Sequence, residues 1–193
     1  VTGTRAILLV GLGWLGLAVI LGAAGVVRGL PPPAIPVVLF ALTALVLAAA
    51  WRVAGFRAWL AAIDARWLVG LHLTRFVGFY FLYLHGQGRL PYAFAVPGGW
   101  GDIAVAALAA LLLLAGPPRG AWRRRAYIAW NVLGLVDILF VVATARRLVA
   151  TDPGSMAPLQ ELPLSLLPTF LVPLIIAGHV VLGLRLARRG VGG

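Results

Sequence analysis

Six uninterrupted apolar stretches, most of them close to twenty residues long, constrain this chain more than any other feature. They run over 6–27, 34–51, 67–84, 102–116, 126–144 and about 168–186. A helix needs about 20 residues to cross roughly 30 Å of hydrocarbon, at about 1.5 Å of rise per residue. A membrane barrel would instead show alternating segments of about 10 residues. The predicted fold class is therefore all-α: a polytopic transmembrane helical bundle of about six spanning helices, forming a single transmembrane domain over 1–193.

Composition supports this reading. Hydrophobic residues make up 62% of the chain and charged residues 11%, whereas a soluble domain is about a quarter charged. One water-facing core could not hide so much apolar surface, so the excess must meet lipid or other helices. The runs end where helices must. Pro31, Pro32 and Pro33 lack amide donors, and Gly116, Pro117 and Pro118 act in the same way. Residues 1–5 are too short and too weakly basic for a cleaved leader. The run 6–27 exceeds a leader's apolar region, so it is expected to be a retained span.

The net charge of +11 invites a nucleic-acid reading, but its placement argues against one. All sixteen basic residues are Arg, and most lie just outside the apolar runs. Arg there sets topology and contacts anionic headgroups. If the chain weaves through the membrane, one side carries eleven Arg and the other four, with Arg75 inside the third run. The predicted location is a cell inner (plasma) membrane with both termini cytoplasmic. Trp51, Trp59, Trp67, Trp100 and Trp122 sit at run ends, as interfacial Trp does. Phe56, Trp59, Leu60, Ile63 and Trp67 recur at helical spacing, which suits either a short interfacial helix or a connecting loop.

Several chemistries are absent. Without Cys there is no disulfide, thiolate metal site or cysteine nucleophile. Without Lys there is no Schiff base. Ser155 and Ser165 are the only serines, neither stands in a Gly-x-Ser-x-Gly elbow, and Glu161 is the only glutamate. An enzyme is the least supported class, and no catalytic residue is assigned.

What remains is a short list of polar residues inside apolar runs, where each is expensive and so a candidate functional residue. His72 and Arg75 lie one turn apart in the third run. Asn131 and Asp137 flank Gly134 in the fifth, and His179 lies in the sixth. Counted from the cytoplasmic ends, these depths differ by under about 10 Å. Arg75, Asp137 and His179 can therefore meet if their helices are neighbours, and an Arg–carboxylate pair would lower the burial penalty of both. The segment 85–102 is apolar and aromatic but broken by Pro91, Pro97, Gly98, Gly99 and Gly101. It reads as a re-entrant or discontinuous helix packed at the outer face. Asp102 then becomes the N-cap of a short fourth helix, or a polar lip over a cavity with His85, Gln87, Arg89 and Tyr92. A second Leu-Pro segment, Leu167-Pro168 to Val172-Pro173, would permit a kink at the start of the sixth helix.

The stretches Arg75-Phe-Val-Gly78, Gly88-Arg-Leu90-Pro91 and Phe94-Ala-Val-Pro97-Gly98-Gly-Trp-Gly101-Asp102 stand out. So do Asn131, Gly134 and Asp137, then Leu167-Pro168-Thr169-Phe170, then His179. On these residues the chain, from Arg75 to its end, resembles a widespread group of small uncharacterised bacterial membrane proteins. The resemblance implies a six-helix membrane fold and supplies no activity.

Three functions follow from the residues. The first is binding or transport of a small molecule or ion at the Arg75, Asp137, His179, His72, Asn131 and Asp102 cluster. Its partners are the bilayer and the ligand, with no nucleic acid and no cofactor, and its assembly is a homodimer because six helices are few for a lone transporter. The second is a b-type haem protein with His72 and His179 as axial ligands and Arg75 near a propionate. The third is a structural or accessory subunit of a membrane complex, in which the polar residues only fix helix packing.

Overall fold

The computed structural model describes residues 2–31 and 33–188. It is all-α, with no strand among the described residues. Six helical segments are long and apolar enough to cross a membrane: Gly3–Ala23, Ala34–Arg52, Ala65–Gly86, Tyr92–Ala115, Ala121–Thr151 and Leu167–Arg188. The first two are α1 (Thr2–Ala23) and α2 (Ala34–Arg52), followed by the short α3 (Ala54–Ala62). The third comprises α4 (Ala65–Gly70), a 3₁₀ stretch Leu71–Val77 and α5 (Gly78–Gly86). The remaining three are α6 (Tyr92–Ala115), α7 (Ala121–Thr151), and a π-helical turn Leu167–Leu171 leading into α8 (Val172–Arg188).

The fourth helix departs most from the sequence expectation. It begins ten residues before Asp102, at Tyr92, with Pro91 in an extended conformation (φ −68°, ψ 145°) before it. Pro97 lies inside the helix, where its missing N–H deletes one intrahelical bond without ending the helix. There is thus no discontinuous helix over 92–101. The true α5–α6 connection is a tight turn in which Gly88, at φ +69°, takes a conformation that favours glycine. The Gly88 and Arg89 amides donate to the carbonyls of His85 and Leu84 there. Asp102 is consequently mid-helix and caps nothing. Trp100 is likewise inside α6 and not at a helix end, with 58% of its surface exposed.

An aspartate N-cap does exist, at Asp64. Its side chain accepts from the Arg66 amide at 2.9 Å and starts α4. That bond also holds the Asp64 carboxyl below the usual carboxylate range. The stretch from Phe56 onward is therefore helical up to Ala62 and broken at Ile63 and Asp64.

By contacts the chain forms two compact units, Val1–Ala62 with Ala145–Leu174, and Ile63–Thr144 with Ile175–Gly193. In the first unit, Trp14 on α1 donates from its indole to the Thr169 carbonyl at 2.9 Å, and its ring meets Phe170 edge-on. Gly22 lies under Leu162 and the Ser165 hydroxyl, where a Cβ would come within 2.8 Å of that oxygen. The Val172 amide donates to the Leu167 carbonyl, closing the wide π turn just before Pro173, which has no N–H to place.

The second unit holds the buried polar residues. Its helix ends are closed by side chains that reach orphan carbonyls. The Tyr127 hydroxyl donates to the Gly116 carbonyl at 2.9 Å. Arg123 reaches the Ala115 carbonyl, and Arg124 the Leu186 carbonyl through both Nε and Nη2. These Arg cap helices in addition to marking a membrane side.

Candidate functional site

The largest fully buried side chain among the described residues is a charged one, Arg75, at 1% exposure. It sits in the 3₁₀ stretch, whose three residues per turn bring side chains at i and i+3 into line. His72 and Arg75 are so related, and both point into the unit, His72 at 0% exposure.

Glycines decide what Arg75 meets. A Cβ on Gly78 would collide with the Gly99 carbonyl oxygen and lie 3.1 Å from the Asp102 Cβ. A Cβ on Gly99 would lie 2.9 Å from the Gly78 carbonyl oxygen. Two backbones can approach this closely only where small residues face each other. The contact sets Arg75, just before Gly78, beside Asp102, just after Gly99.

The guanidinium is then shared three ways. Its Nε donates to Asp102 Oδ1 at 2.6 Å, and its Nη1 to the Gly134 carbonyl at 2.9 Å. Its Nη2 pairs with Asp137 Oδ2. The Asp102 side chain is 4% exposed and that of Asp137 16%. Sequence reasoning expected one carboxylate on Arg75 and found the right one in Asp137. Asp102 is among the candidate residues of the sequence, but as an N-cap or a polar lip and not as a second partner of Arg75, because the Gly- and Pro-rich approach to it suggests a helix break. The signal for that pairing was the run of glycines at 98, 99 and 101, which in an apolar helix marks close packing.

Gly134 joins this group to the histidines. A Cβ there would lie 2.6 Å from His179 Cε1 and 2.9 Å from its Nε2. The same glycine thus accepts from Arg75 through its carbonyl and seats the His179 ring on its bare Cα. Asn131, one turn earlier on α7, reads His179 twice. Its Oδ1 lies 3.0 Å from His179 Nδ1, and its Nδ2 donates to the His179 carbonyl at 3.2 Å. An amide oxygen accepts only, so Nδ1 carries the hydrogen and Nε2 keeps a lone pair.

His72 and His179 are in contact, with ring centroids 4.1 Å apart, and Trp130 closes the group at 4.9 Å from His72. Sequence reasoning did not single out Trp130. Its indole N–H donates to the Val105 carbonyl at 3.0 Å, which fixes the ring against His72. Both ring nitrogens of His72 and Nε2 of His179 are buried without a hydrogen-bond partner. Axial ligation of a haem requires an iron and a porphyrin plane between two imidazoles, and rings in contact leave no space for either. His85 stands elsewhere, with Nδ1 3.0 Å from the Leu90 carbonyl in the α5–α6 turn.

The arrangement has one chemical consequence of note. One guanidinium serves two carboxylates, which leaves a formal surplus of one negative charge in an apolar setting. An unbalanced charge at the centre of a bilayer costs about 2.5–3.5 kcal/mol on insertion scales. A bound cation or proton would remove that penalty.

A family described as a domain of unknown function (DUF8737) matches residues 32–187, and the chain belongs to it. No curated protein matches the chain, and no solved structure does.

Proposed function

For this member of the DUF8737 family we propose, from the geometry of its buried polar group, that the protein binds a small cation inside a membrane and serves in the passage of that ion, or of a small molecule with it. The binding group is Arg75, Asp102 and Asp137, supported by His72, His179 and Asn131. One observation carries the reading: two carboxylates share a single buried guanidinium. A group built only to lock helices needs one carboxylate for one Arg, because a second adds desolvation with no further charge to offset it. The unpartnered Nε2 of His179 beside Gly134 adds a lone pair where a cation or its water can be held. The membrane is an inner membrane with both termini cytoplasmic, on the eleven-to-four division of Arg across the runs.

The test is linkage. A ligand that binds only the native state stabilises it by about 2.7 kcal/mol at a hundred times its Kd. The midpoint of thermal unfolding of the purified protein should therefore depend on a small cation. Na⁺, K⁺ and pH are varied against choline at constant ionic strength. The wild type should respond to one of these cations, the proton included, and the neutral Arg75→Met/Asp102→Asn/Asp137→Asn variant should lose that response. A wild type indifferent to all of them would leave the group as a helix lock. An absorption spectrum of the same preparation tests the haem alternative, which a Soret band would restore.

A further inference from the structure

The two carboxylates on Arg75 are not equivalent, and the difference points to what the site binds. Asp102 is sealed. Its side chain is 4% exposed, its Oδ1 is held at 2.6 Å by Arg75 Nε, and the Gly78 backbone closes over its Cβ. Asp137 is open, with a side chain 16% exposed. It borders the outer stripe of α7, where Leu133, Val136 and Phe140 are 49%, 61% and 49% exposed. Its own two oxygens also differ. Oδ2 accepts from Arg75 Nη2. Oδ1, the oxygen Arg75 leaves, lies against the bare Cα of Gly101, where a Cβ would collide with it.

We propose that this group holds one exchangeable proton, carried on Oδ1 of Asp137. The inference rests on the cation-binding reading above and names the cation. With the proton on, one Arg faces one carboxylate and one carboxylic acid, and the buried charge is zero. With it off, the group carries one negative charge. The change is a single H⁺ taken from or returned to solvent, with no other bond made or broken. A proton also needs the least space, and the place a Gly101 side chain would take is already filled by Asp137 Oδ1. The charged and titratable groups around Asp137 are Arg75 and Asp102 directly, and His179, with His72 against it, across Gly134 on the same helix.

Two measurements on the full chain in nanodiscs test this. Infrared spectroscopy at neutral pH should show the carbonyl stretch of a protonated carboxyl that shifts in D₂O. It should be lost in Asp137→Asn and equally in Asp102→Asn, because either change leaves Arg75 one carboxylate and no surplus charge to protonate. Dicyclohexylcarbodiimide, an apolar reagent that adds to protonated carboxyls, should add one equivalent to Asp137 and none to Asp102. Asp137→Asn leaves Arg75 its one-to-one pair with Asp102, so it should fold and serve as a clean control. A dicyclohexylcarbodiimide adduct on Asp102 instead of Asp137 would overturn the assignment to Asp137. The absence of any such band, or an imidazolium signature in its place, together with a Na⁺- or K⁺-dependent unfolding midpoint would overturn the proton while leaving the cation reading intact. The absence of both the band and any cation dependence would end both.

Discussion

Gly134 shows how much one missing side chain can carry. Its carbonyl accepts from Arg75 and its Cα supports the His179 ring, so α7 and α8 meet there without an intervening methyl. In Gly134→Ala the new Cβ would sit 2.6 Å from His179 Cε1. We expect a loss of roughly 1–3 kcal/mol, the usual penalty of overpacking, measured as a lowered unfolding midpoint in detergent. Removing the ring as well, in Gly134→Ala/His179→Ala, should recover part of that loss, because the collision has gone. Gly11 and Gly13 have open space where a Cβ would go. Alanine there should be neutral or should stabilise, by up to about 1 kcal/mol of helix propensity. Equal effects at all three positions would contradict the close approach at Gly134.

At the scale of the element, the α6 helix separates what the sequence makes legible from what it does not. Continuous apolarity over twenty residues is a sum over composition, so most of the spans can be read directly. Depth along a helix follows from counting, so the meeting of Arg75 with Asp137 can be read too. Proline and glycine are ambiguous in a way counting cannot resolve. In water Pro97, Gly98, Gly99 and Gly101 argue for a break, but within a membrane helix the same glycines let two backbones touch. The 3₁₀ stretch that aligns His72 with Arg75 leaves no mark in the sequence either, because choosing three residues per turn over 3.6 depends on what the side chains meet. The continuity of α6 can be tested at Pro97. An interior proline removes a hydrogen bond and strains the preceding turn, at about 3 kcal/mol or more in a helix. We expect Pro97→Ala to keep or raise the unfolding midpoint, since the backbone there is already helical. A marked loss of stability would mean that a broken helix is required.

At the scale of the whole molecule, the flanking Arg side chains reach helix-end carbonyls as well as marking a side of the membrane. Arg57, Arg123 and Arg124 donate to the carbonyls of Trp51, Ala115 and Leu186 at the ends of α2, α6 and α8. The same residues lie among the eleven on the side proposed to be cytoplasmic. Alkaline phosphatase fused after Arg188 should therefore be inactive and a fluorescent-protein fusion there bright, with the opposite pattern for fusions in the turn at Gly88. Strong phosphatase activity after Arg188 would reverse the orientation.

One buried guanidinium, that of Arg75, is shared by two carboxylates. Double and triple substitutions at Arg75, Asp102 and Asp137, read as unfolding free energies, test this sharing most directly. Arg75→Met leaves both carboxyls without their cation, so it should be the most damaging single change, by at least the ~2.5–3.5 kcal/mol of one unbalanced charge. Asp137→Asn should be near wild type, because Arg75 keeps Asp102. Arg75→Met/Asp137→Asn should remain impaired, with Asp102 still unpaired, and the triple variant Arg75→Met/Asp102→Asn/Asp137→Asn should recover most of the loss. Full recovery already in Arg75→Met/Asp137→Asn, or an Asp137→Asn variant as damaged as Arg75→Met, would reduce the group to a simple pair and contradict the account.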